Sequence, residues 1–97
     1  MNDIFLSDDM LSMLSSIFPE LSDKQLKTSV MFASGVSLED MACSWQVSVT
    51  AIRKLLHRSM EALSVFSLAC LRTVVQTRLS IFSLQNQLRM CSMMESL

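Results

Sequence analysis

The fold of this chain is decided by residues 21–65, which read LSDKQLKTSVMFASGVSLEDMACSWQVSVTAIRKLLHRSMEALSV. Serines precede three runs whose apolar residues recur at helical spacing, and a serine hydroxyl caps a helix by accepting a bond from a free backbone N–H. Ser22 and Gln25 have the spacing of a reciprocal capping box, and Gly35 stands where a left-handed residue ends a helix. The predicted helices span Ser22 to Gly35, about 38–44 after the Ser37 cap, and Ser48 to about Leu63.

The flanking sequence also predicts helices. Only one glycine and one proline occur, and alternating β-branched runs and hairpin turn pairs are missing. Ser7 is predicted to cap a helix over about 8–18 that Pro19 ends. Its apolar stripe consists of Met10, Leu11, Leu14, Ile17 and Phe18. Ser67 is predicted to cap a last helix of at least two or three turns, so the chain reads as all-α.

The composition indicates a single small domain with surplus apolar surface. The chain has 97 residues, of which 51% are hydrophobic, and its mean hydropathy is +0.41. A domain of this size has limited capacity to bury a core. We therefore expect some apolar surface to face another subunit or a partner.

The last helix offers a candidate for that surface. Val74, Ile81, Leu84 and Leu88, followed by Cys91, recur at close to heptad spacing, which is typical of helices that pair. The same spacing also suits a terminal helix that packs on its own domain. We expect Val74, Ile81, Leu84 and Leu88 to form a homodimer contact.

Charge is divided unevenly along the chain, although the net charge is only −1. Residues 1–47 contain seven acids against two lysines, a net of −5, whereas residues 48–97 contain six basic residues against two acids, a net of +4. Local field matters more than total charge for binding a polyanion. The second half is therefore the candidate for nucleic-acid contact.

Enzyme, metal and cofactor chemistry find no support in the sequence. Phosphate-binding glycine loops and a nucleophile beside a base are missing. Cys43, Cys70 and Cys91 are odd in number and widely spaced, and His57 does not complete a zinc pattern with them. We expect reduced, buried or half-buried thiols, and neither a metal nor a cofactor.

The sequence does not predict a membrane protein. The uncharged apolar run from Ala62 to Leu71 is too short to span a bilayer. Asp3, Asp8 and Asp9 occupy the place of the positive region of a secretory signal. We expect a cytoplasmic location.

The helix after Ser48 carries the clearest functional pattern. On a helical wheel one side is lined by Ile52, Leu55, Leu56, Ser59 and Leu63, with Met60 at its edge. The opposite side presents Thr50, Lys54, His57 and Glu61, flanked by Arg53 and Arg58. A basic face near the N-terminal half of a helix is typical of recognition helices that enter the major groove of DNA.

These residues resemble the LuxR/GerE-type helix-turn-helix of bacterial transcription regulators. The family pattern L-T-x-x-E…A-x-G-x-S-x-x-E-I-A-x-x-L-x-I-S-x-x-T-V-K…L-x-V aligns without gaps over about half the chain. The matching residues are Leu21-Ser22, Ala33-Ser34-Gly35-Val36-Ser37, Asp40-Met41-Ala42, Trp45, Val47-Ser48, Ile52-Arg53 and Leu63-Ser64-Val65. Leu56-His57-Arg58 with Ala62-Leu63 is also similar to the end of sigma-factor region 4, which reads DNA with the same helix.

The resemblance implies a tetra-helical LuxR-type helix-turn-helix domain with an added N-terminal helix and a long C-terminal helix. Together with the flanking helix patterns, it predicts an N-terminal amphipathic helix in residues 1–19, the DNA-binding domain in 20–66 and a dimerisation helix in 67–97. Arg53 stands in place of the family's DNA-contacting lysine. Thr50, Lys54, His57 and Arg58 are implied to contact phosphates or base edges of double-stranded DNA.

Two functional hypotheses follow. The first is a bacterial transcription regulator that binds duplex DNA as a homodimer and is associated with the nucleoid. The second is a protein-interaction module derived from the same fold, an anti-activator or co-regulator that binds a partner regulator and does not read DNA. The overall acidity favours the second, as do Ala51 and Leu55, which replace the family's threonine and histidine. Gln25 and Gln46 also depart from the pattern, in place of the family's glutamate and glycine.

Overall fold

A computed structural model describes residues 6–95, with the side chains of residues 6–94. Over this range the chain forms five helices and no strand, which confirms the predicted all-α fold. The helices are α1 (Asp8–Ser15), α2 (Asp23–Ala33), α3 (Leu38–Trp45), α4 (Val49–Ala62) and α5 (Leu68–Glu95). Predictions for residues 1–5 and 96–97, at the ends of the first and last proposed segments, lie outside the described residues.

Each of the five helices begins after a serine whose hydroxyl accepts a backbone N–H three residues later. The capping serines are Ser7, Ser22, Ser37, Ser48 and Ser67, with N···Oγ distances of 3.0–3.3 Å. At α2 the Gln25 side chain also accepts the Ser22 N–H at 3.0 Å, which completes the predicted capping box. The sequence prediction of all five helix starts is therefore confirmed.

Helices α2, α3 and α4 all end with a left-handed residue followed by valine. The left-handed residues are Gly35 (φ 100°), Gln46 (φ 55°) and Ser64 (φ 57°). The valine N–H then bonds at 3.0 Å to the carbonyl five residues before it, in the pairs Val36–Met31, Val47–Ala42 and Val65–Met60. This pattern satisfies carbonyls that the helix end leaves free. The sequence predicted it only at Gly35, because Gln and Ser rarely adopt positive φ.

Helix α1 is shorter than predicted. It ends at Ser15 rather than near Phe18, because the Ile17 N–H bonds to the Leu14 carbonyl (2.9 Å), an i→i−3 bond that tightens the last turn. Leu14 and Phe18 are buried as expected, but Met10 is 51% exposed and lies outside the core.

Helix α2 lies at the centre of the fold. It packs against each of the other four helices, and six of its eleven residues are buried. Two of them, Thr28 and Ser29, are small and polar, and Ser59 of α4 is likewise fully buried. Thr28 and Ser59 donate their hydroxyls to the carbonyls one turn earlier in their own helices (2.7 and 2.8 Å). These small side chains let α2 and α4 approach closely; the Thr28 and Ser59 hydroxyls are satisfied, whereas the fully buried Ser29 hydroxyl has no hydrogen-bond partner among the described residues.

The first half of α5 is fastened to the C-terminal end of α2. Leu71 and Val75 are fully buried in the common core. The Gln76 amide donates to the Ala33 carbonyl at 2.9 Å, and the Arg72 guanidinium lies 4.5 Å from the centre of the Phe32 ring. The last turn of α2 thus receives both a hydrogen bond and a cation–π contact.

A second fastening joins α5 to the turn after α1. The Arg78 guanidinium donates two hydrogen bonds of 2.8 Å to the Glu20 carboxylate and one of 3.0 Å to the Ile17 carbonyl. It also lies 5.1 Å from the centre of the Phe18 ring. These bonds lower the pKa of Glu20 from 4.5 to about 2.

The second half of α5 extends beyond the core. The helix has 28 residues, a length of about 42 Å, and Asn86 is the last residue that is even half-buried. Beyond it every described side chain is exposed, so this part of the helix contacts no other described helix through a buried face.

The predicted burial of the cysteines was wrong, although all three are free thiols. Cys43, Cys70 and Cys91 are all exposed. In α3 the buried side is formed by Met41 and Ala42, and Cys43 lies next to it on the outer side. Cys70 and Cys91 lie on the side of α5 that faces away from the core.

The left-handed residues yield a test of helix-end strain. An L side chain at positive φ costs roughly 1–2 kcal/mol, which glycine avoids. We expect Gln46→Gly and Ser64→Gly each to raise the free energy of unfolding by about 1 kcal/mol, measured by urea denaturation. Gly35→Ala is the matched control, since open space surrounds the added methyl group and only backbone strain can act; it should lower stability. If Gln46→Gly left the free energy of unfolding unchanged, the left-handed conformation of Gln46 would be contradicted.

The Arg78–Glu20 pair predicts a pH-dependent stability. Because the folded-state pKa of Glu20 lies below its ordinary value, its contribution is complete above about pH 4.5 and is lost as the pH falls towards 2. The two side chains are 33% and 36% exposed, so we expect less than about 1 kcal/mol after solvent screening. Glu20→Gln should flatten stability against pH in this window in urea titrations. Glu61→Gln, at a residue that makes no salt bridge among the described side chains, should leave the profile unchanged.

Candidate nucleic-acid interface

The fold holds α4 with one side in the core and the other in solvent. Ile52, Leu56 and Ser59 are buried, and they anchor the helix against α2 and α3. The connection from α3 is only three residues long, and the left-handed Gln46 turns the chain there. The orientation of the outer face of α4 is therefore set by buried contacts and by a short turn.

All five residues predicted to contact DNA lie exposed on α4. Thr50, Arg53, Lys54, His57 and Arg58, with Glu61, line one continuous shallow surface. We call this surface the basic face. Its three certain positive charges come from the two arginines and the lysine, and its one acid lies near the C-terminal end of the helix.

The N-terminal end of α4 adds to this positive field. Helices α1, α2 and α3 each have acidic residues in the first turn, whereas α4 has none. The partial positive charge at the start of α4 is thus not neutralised by a side chain of its own first turn. Anions are favoured at such a helix end.

The basic face has two different edges. On one edge Arg53 and His57 lie beside Leu38, Met60 and Leu68. On the other edge Lys54 and Arg58 lie beside α2. The first edge therefore adjoins apolar side chains and the second edge adjoins α2, although the charged residues of both edges belong to α4.

Along the second edge the structure shows a feature that sequence reasoning missed. A groove of about 530 Å³ runs between α2 and α4, and Lys24 and Lys27 of α2 line it together with Lys54 and Arg58. We call it the α2–α4 groove. The two α2 lysines were counted only as part of an acidic half of the chain. Their spacing of three residues, on one side of a capped helix, is the signal that could have set them apart.

The connection after α4 holds another residue that no sequence pattern singled out. Phe66 is 94% exposed and lies beside His57 and Glu61. The left-handed Ser64 turns the chain just before it. A large aromatic side chain is therefore available to a partner at the C-terminal end of the basic face.

The residues predicted for dimerisation lie on the outer side of α5. Val74 is half-buried, whereas Ile81, Leu84 and Leu88 are 51%, 56% and 61% exposed. Leu71, Val75 and Leu79 contact the core instead, about a third of a turn around the helix. The dimerisation residues are thus separate from the side that packs on the domain, and their pairing remains a prediction.

No helix in residues 6–95 combines the length and the apolar content needed to cross a membrane. Within the same range, His, Cys, Asp and Glu side chains form no group of three or more that could hold a metal ion.

Family models, curated proteins and solved structures were compared with this chain, and none of them matches it. Its function must therefore be inferred from the charge, exposure and placement of its own side chains.

Proposed function

We propose that the protein is a bacterial transcription regulator that binds duplex DNA through α4. In this proposal α3 and α4 act as a LuxR-type helix-turn-helix, and α4 enters the major groove. The observation that carries the proposal is the basic face: five exposed residues of DNA-binding type lie on one side of a single helix.

The placement of these residues suits separate roles. Thr50, in the first turn, is positioned for a phosphate or a thymine methyl group near the positive helix end. Arg53, one turn further on, can donate two hydrogen bonds to a guanine edge. Lys54, His57 and Arg58 lie around the same face, where they can contact phosphates on the groove walls.

A homodimer would present two copies of the basic face. The exposed Ile81, Leu84 and Leu88 on α5 support pairing with a second chain, because their spacing is that of a paired helix. Their neighbours Ser80, Gln85 and Gln87 are uncharged, so two copies would not repel each other along this side.

The main test measures affinity for a mixed-sequence DNA duplex at several salt concentrations. Each phosphate contact releases bound counterions, so log affinity should fall linearly with log salt. For Arg53→Ala/Lys54→Ala we expect weaker binding and a slope smaller by about 2, since two contacts are lost.

Arg89→Ala is the matched control, because it removes one positive charge from the exposed end of α5. It should leave the slope unchanged. Absence of DNA binding by the parent protein at low salt would refute the proposal and leave the protein-interaction alternative.

A separate prediction concerns the dimer. Leu84→Asp/Leu88→Asp places two like charges in the proposed contact and should convert a dimer into a monomer, measured as molar mass by light scattering. Ser83→Asp/Met90→Asp adds the same charge to another side of the exposed helix and should leave the mass unchanged. Equal masses for the parent and both variants would remove this side of α5 from the dimer contact.

A further inference from the structure

The α2–α4 groove has an apolar floor that DNA binding does not use. Trp45 and Leu55 are half-buried and Val47 is 45% exposed, and all three line the groove. Ala51 lies one turn before Leu55 on the same side of α4, and its small side chain leaves room above the floor. Apolar side chains gathered in a concave surface favour a ligand that can bury apolar area there.

The banks of the groove are positively charged. Lys24 and Lys27 come from α2, and Lys54 and Arg58 come from α4. None of the residues that line the groove is acidic, and none of the four cations takes part in a salt bridge among the described residues. The spacings of three and four residues place the two cations of each bank about one helical turn apart.

We propose that the α2–α4 groove binds an acidic amphipathic helix of a partner protein. The apolar side of that helix packs on Trp45, Val47 and Leu55, and carboxylates on its two flanks pair with the cations of the banks. Carboxylates three or four residues apart on a helix match the spacing of those cations. A nucleic acid would satisfy the charges but would leave the apolar floor uncovered, which is why a helix of this composition fits better.

Partner and DNA then compete for two residues. Lys54 and Arg58 belong both to this groove and to the basic face, so a helix seated in the groove covers part of the surface proposed for DNA. This consequence rests on the proposed function, whereas the groove's own affinity for an acidic helix does not.

The test uses a fluorescein-labelled synthetic peptide of about 16 residues, long enough to form a helix when bound. It carries leucines one turn apart on one side and glutamates on both flanks of that row. A second peptide has lysines in place of the glutamates. In fluorescence anisotropy titrations of the full chain without DNA, we expect the glutamate peptide to bind at least about tenfold more tightly than the lysine peptide.

Two variants locate the site. Leu55→Gln alters the floor, and Lys24→Glu/Lys27→Glu reverses the charge of the α2 bank; each should weaken binding of the glutamate peptide about tenfold or more. Arg89→Glu is the control, because Arg89 lies on the exposed end of α5 and does not line the groove, and affinity should stay within about twofold. The lysine variant changes one exposed and one half-buried position, both outside the buried core, so it tests the groove even if Leu55→Gln impairs folding.

Similar affinity for both peptides, or undiminished binding by Lys24→Glu/Lys27→Glu, would overturn the inference. A failure of the proposed DNA binding would appear only in the duplex titrations and would leave the peptide result unaffected.

Discussion

The close packing of α4 on α2 is the constraint on which the other features depend. The contact is close because small, fully buried side chains lie in it, namely Thr28, Ser29 and Ser59. Helix α2 in turn contacts α1, α3 and α5. Because α4 is held on one side by α2 and at its start by a three-residue turn, its polar side has a fixed direction. The same packing brings lysines of α2 beside cations of α4. The basic face and the α2–α4 groove are thus two products of one helix contact.

These two surfaces gather positive charge in a chain whose net charge is −1. The acids of the described residues lie mainly in the first turns of helices, where they offset helix dipoles, and Glu20 forms an ion pair with Arg78. Lys27 is half-buried and the other cations of α2 and α4 are exposed, and none of them forms a salt bridge among the described residues. Positive side chains are therefore concentrated around α4, although the total charge is slightly negative.

The sequence predicted where helices begin better than where they end or which side chains of different helices lie together. Serine caps act through bonds to residues three positions away, so all five were readable from local spacing. The left-handed Gln46 and Ser64 were not, because neither residue type favours positive φ and the turn is closed by a backbone bond from the following valine, which residue preference does not reveal. Lys24 and Lys27 were missed for another reason: their relation to Lys54 depends on how α2 crosses α4. Exposure of the three cysteines likewise followed from which side of each helix met the core.

Helix α5 has a consequence for the geometry of any assembly. The side that packs on the domain, through Leu71 and Val75, and the side that carries Ile81 and Leu84 belong to one uninterrupted helix. The angle between these sides is therefore fixed by helical phase, not by a flexible linker. In a dimer formed through α5, the number of residues between the two sides of α5 would determine the direction in which each α4 points from the twofold axis. Inserting one residue between the two sides would turn each domain by about 100° around the helix axis.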